Sequence, residues 1–109
     1  MSTEEHKKAI HADVLAAAQN ELDRASKKFG PTNHSPHESS AVIREEKEEA
    51  EEALKDFAYM YEQYWDAVKR DDVEKQRQYL VDMTEYSKAA AAEMIQACAM
   101  CSKALNSLE

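Results

Sequence analysis

The sequence predicts an all-α fold, a three-helix antiparallel bundle with two long helices, and three observations carry that expectation. The lone glycine and both prolines fall between residues 30 and 36, so the rest of the chain holds no strong breaker. Outside that window Ala, Glu, Lys, Leu, Met and Gln dominate, the residues that lose least on entering a helix. Apolar residues then recur every three or four positions, the period of one helical face. At 109 residues the chain is expected to form one all-helical domain spanning 1–109.

Helix 1 is expected to start at Ser2, three residues before Glu5, the spacing of a capping box. Ile10, Val14, Ala18, Leu22, Ala25 and Phe29 continue as one stripe, and Gly30 followed by Pro31 ends it. A second start signal comes at Ser35, with Pro36 suited to the first helical position and Glu38 three residues after the cap. Helix 2 carries Val42, Ile43, Ala50, Leu54, Phe57, Tyr61, Tyr64, Trp65 and Val68 on one face. The run "KRDD" at 69–72 is a soft break in which Asp71, three before Glu74, caps helix 3. That helix repeats Val73, Leu80, Met83, Ala90, Ala91, Met94, Cys98, Cys101, Leu105 and Leu108. One unbroken helix is the alternative. A turn is preferred because two long amphipathic stripes then cover each other. Three helices of this length make a thin core, so a homo-oligomer is expected.

Net charge is −8, from 22 acidic and 14 basic residues, which argues against DNA or RNA binding through a basic surface. No apolar run approaches the ~18 residues needed to cross a membrane, and the N-terminus lacks a signal-peptide core. Two cysteines in a helical context suggest a reducing compartment and a cytoplasmic location.

The chemistry is in the acids of "SPHESSAVIREEKEE". At about 100° per residue, Glu46 falls inside the apolar sector set by Ile43, Glu49 lies on its flank, and Glu45 sits further round. Glu48, Glu51 and Glu52 point to solvent. In a hairpin folded at 71, residues whose numbers sum to about 142 face each other, which sets Glu49 opposite Glu93 and Glu46 opposite Gln96. Carboxylates brought together between two helices repel strongly without a cation. Oxygen donors alone, with no His or Cys among them, suit Mg²⁺. The competing reading is an ordinary solvated Glu-rich face with i,i+4 partners.

These residues also carry a resemblance. "KFGPTNHSPHESSAVIREEKEEAEEALKD" is similar to the segment of short phage and bacterial MazG-like proteins that holds their EExxE motif, and "EMIQACAMCSKAL" to their following helix. The resemblance implies a Mg²⁺-dependent nucleoside triphosphate pyrophosphohydrolase, assembled as a homodimer or homotetramer, that cleaves NTP or dNTP to the monophosphate and pyrophosphate. It assigns Glu45, Glu46, Glu49 and Glu93 to the metal, with Glu46 or Glu45 as general base. Lys27, Lys28 and Lys55 are then candidates for phosphate contacts, and His37 and Gln96 for substrate contacts. The family usually places an Asp where Gln96 stands, and Gln is a poorer ligand. The alternative is therefore a catalytically inactive helical interaction module, of phage origin.

Two further patterns are read as structural. "CAMC" at 98–101 lies on the apolar stripe and is expected to pack in the core, and "HSPH" at 34–37 flanks a helix start. Trp65 and the tyrosines around it are expected to fill the far end of the hairpin.

Overall fold

The computed structural model describes residues 2–109, which form three α-helices and, among the described residues, no strand. They are α1 (Thr3–Phe29), α2 (Pro36–Lys69) and α3 (Val73–Ser107). Among the described residues, no helix is long and apolar enough to cross a membrane.

Each helix end has a local cause. Ser2 caps α1 by accepting the Glu5 N–H at 3.1 Å. At the other end the Gly30 N–H donates to the Ser26 carbonyl, and Gly30 sits at φ +90° and ψ 164°, a conformation that side chains strain against. Ser35 caps α2 by accepting the Glu38 N–H at 3.2 Å, while Glu38 reaches back to the His34 N–H. The connection is pinned at both sides: the Asn33 N–H donates to Ser107 Oγ and its side-chain amide to Ser39 Oγ, each at 2.8 Å.

A turn does separate α2 from α3, but its two aspartates have roles other than the expected ones. The Asp72 N–H bonds back to the Ala67 carbonyl and the Asp71 N–H to Val68, the paired closure of a Schellman motif. Asp71 takes its left-handed position at φ 54°, which Asp tolerates better than most residues. Asp72, not Asp71, caps α3, accepting the Lys75 N–H at 3.0 Å.

The chain divides into two compact units. Unit one combines the residues up to Glu46 with Ile95–Glu109, and its buried residues are Ala18, Ser39, Ala97, Ala99 and Lys103. Unit two, Lys47–Met94, is the helical hairpin, and buries Ala50, Ala53, Ala67, Met83 and Ala90.

Alanine therefore fills the interior, which corrects the expected stripes. Leu54 and Tyr61 on α2 are 54% and 47% exposed, and Trp65, Val73, Leu80 and Met94 are exposed too. Cys98 and Cys101 are exposed free thiols and not core residues. The periodicity ran together two adjacent apolar sectors: an alanine seam that lets helices approach closely, and a flank of large side chains about 20–100° round each helix.

Candidate metal centre and adjoining cleft

Two glutamates meet inside unit two, Glu49 from α2 and Glu93 from α3. Glu46 stands one turn before Glu49 on α2, at the end of unit one. Glu46 and Glu93 are half-buried, and Glu49 is exposed.

Within unit two, Glu49 and Glu93 hydrogen-bond each other through their side chains. Two ionised carboxylates cannot do this, because neither has a proton to donate. The bond and the repulsion from Glu93 hold the Glu49 pKa above its ordinary value, with smaller contributions from desolvation and from Glu52. A divalent cation would replace that shared proton. The donors are hard carboxylate oxygens with no imidazole or thiolate among them, which fits Mg²⁺ or another hard cation better than zinc.

Beside Glu46, unit one has a cleft of about 450 Å³. Glu45, Glu46 and Gln96 line it, together with the apolar side chains of Phe29, Val42 and Met100. Glu21 and Glu38 face it as well, but Glu21 is held by Arg24 at 2.8 Å and Glu38 by the His34 N–H. One wall thus offers oxygen ligands and another an aromatic and aliphatic surface, the composition of a small-molecule site.

The residues singled out in the sequence divide accordingly. Glu49 and Glu93 come together in unit two, and Glu45 and Glu46 line the cleft of unit one. Gln96 lines the cleft near Glu46. His37, Lys27 and Lys55 are exposed and do not line it. Lys28 is exposed, with its ammonium 5.1 Å from the Phe29 ring centroid.

Sequence reasoning passed over Lys103. It is buried, lines the cleft, and places its ammonium 5.9 Å from the centroid of the same Phe29 ring. A signal for it was present: Glu93, Gln96, Met100 and Lys103 follow one another at helical spacing along α3.

Comparison with protein-family models, with curated proteins and with solved structures gives no match. Functional inference therefore rests on the site's own chemistry.

Proposed function

We propose that the chain is a Mg²⁺-dependent nucleoside triphosphate pyrophosphohydrolase, resembling the MazG-like enzymes, that converts NTP or dNTP to the monophosphate and pyrophosphate. The observation that supports this best is the hydrogen-bonded pair Glu49 and Glu93, with Glu46 one turn before Glu49 on α2. These three would hold the cation, which supplies neutralisation of the triphosphate charge and lowers the cost of deprotonating an attacking water. Glu45, facing the cleft outside the cluster, is the better placed of the two candidate bases, since Glu46 is committed to the cation. Phe29, Val42 and Met100 would receive the apolar face of the nucleoside and exclude water from it.

The working form is a homo-oligomer in this reading. The large flank residues Leu54, Tyr61 and Trp65 of α2 and Val73 and Leu80 of α3 are displaced in the same rotational sense from their alanine seams. In an antiparallel pair that sense points to one side of the hairpin. Such a continuous apolar face is rare on a monomer and fits a second copy. The deciding experiment is pyrophosphate release from a panel of NTPs and dNTPs with Mg²⁺. Turnover of any member that Glu49→Gln abolishes supports the enzyme. No turnover across the panel, together with a 12.4 kDa particle by light scattering, would remove both the enzyme and the oligomer.

A second reading, a helical interaction module without catalysis, draws on Gln96 standing where the resembled family has Asp. The same panel separates the two, since that reading requires an oligomer or complex and no turnover.

A further inference from the structure

Lys103 is explained neither by packing nor by the carboxylate cluster. It is only 5% exposed, yet the ion pairs of the described residues do not include it. Burying an ammonium without an opposite charge costs stability, and a nearby aromatic face offsets only part of that cost. Among the described residues no fully buried side-chain nitrogen or oxygen lacks a partner. The Lys103 ammonium is therefore not sealed in a dry interior, and its remaining exposed surface opens on the cleft it lines.

Lys28 is exposed and does not line the cleft, although its ammonium lies 5.1 Å from the centroid of the same ring. The cleft as a whole is acidic, through Glu45 and Glu46, and would turn away a bare anion. An anion that brings its own divalent cation satisfies both walls, with phosphoryl oxygens at Lys103 and the cation at the glutamates.

We infer that Lys103 forms an anion subsite in this cleft, and that its ligand is a polyphosphate chain bound as its magnesium complex. The inference rests on the reading of the cluster as a Mg²⁺ site. It names a phosphate contact that the exposed lysines at 27 and 55 do not supply. Lys103 would bind the chain as a point charge, its ammonium 5.9 Å from the Phe29 ring centroid.

Calorimetric titration of inorganic tripolyphosphate in Mg²⁺ tests this, using wild type, Lys103→Met, Lys103→Arg and the exposed control Lys7→Met. Wild type and Lys7→Met should bind alike. Lys103→Met should bind at least tenfold more weakly and melt no lower than wild type when ligand-free, because an unpaired buried charge has been replaced by an apolar chain of similar length. Lys103→Arg should recover most of the affinity. Equal affinity in folded Lys103→Met overturns the subsite, and pyrophosphate release that continues in that variant with an unchanged KM does so while leaving the hydrolase intact. Lys103-dependent tripolyphosphate binding without hydrolysis of any nucleotide supports the subsite and removes the hydrolase. Absence of binding in wild type overturns the subsite as well.

Discussion

Glu49 and Glu93 share a hydrogen bond across the α2–α3 hairpin, so the pair retains a proton beyond the pH at which a lone carboxyl would lose it. The folded state then binds this proton more tightly than the unfolded chain does. The associated stability is complete below the ordinary carboxylate range and is lost as pH rises through the raised Glu49 value. Urea midpoints of the ligand-free protein followed from about pH 4 to about pH 8 should show this decline, and Glu49→Gln should flatten it. An unaltered slope in that variant would mean that Glu93 does not govern the titration.

Magnesium should reverse the same loss. A cation that binds only the folded state raises the melting temperature by mass action, more at higher pH, where fewer protons compete for the same oxygens. Glu49→Gln and Glu93→Gln should each abolish the response, and the double variant should lose little more, because one site is removed only once. Glu48→Gln, exposed on the same helix, should respond as wild type does. A solvated acidic face would instead give small additive effects of about 0.5 kcal/mol or less, with no dependence on Mg²⁺.

The α2–α3 turn sets its two aspartates apart. Asp71→Gly should stabilise the fold, by up to about 1 kcal/mol, since glycine occupies the left-handed position without steric cost. Asp72→Ala should cost about 1 kcal/mol by leaving the Lys75 N–H without its cap. Chemical denaturation of both variants checks the assignment, and interchanged signs would refute it.

Gly30 is a purely conformational test. Among the described residues, no atom beyond its two chain neighbours lies within 4 Å of where its Cβ would be, so Gly30→Ala meets no clash. It should still lose about 1–3 kcal/mol, because φ +90° is a region that L side chains rarely adopt. A neutral substitution by thermal melting would indicate that the loop re-forms around the alanine.

Both cysteines should react with a thiol reagent in the native protein without denaturant, and Cys98→Ser and Cys101→Ser should each change stability by less than about 0.5 kcal/mol. Protection of either thiol would show that a second copy covers this face of α3.

Local signals in the sequence were legible where a single residue carries the physics. Ser2, Ser35 and Gly30 each did what their chemistry prescribes at a helix end. The α2–α3 turn was legible as a break but not in detail, because adjacent aspartates can both cap and both tolerate a left-handed backbone. Only the closure of α2 on Ala67 and Val68 decides between them. Hydrophobicity put Leu54, Leu80 and Cys98 on the same core stripes as Ala50 and Ala90, whereas close helix packing buries the alanines, Ala53 and Ala67 with them, and leaves the larger side chains outside. The pairing of Glu49 with Glu93 was within reach once the hairpin was centred near 71. Lys103 was not, since a lysine reads as solvent-facing until the packing around it is known.

The alanine interior of unit two also sets a length. Distance between packed helices follows the bulk of the side chains at their contact, and methyl groups permit close approach. Ala50 adjoins Glu49 in sequence, and Ala90 stands one helical turn before Glu93. These small residues act as the gauge that keeps two carboxyl groups near enough to share a proton or a cation. A leucine at Ala50 would wedge the helices and draw the acids apart with no carboxylate altered, so the sharpest control over this site's chemistry belongs to residues that have none of their own.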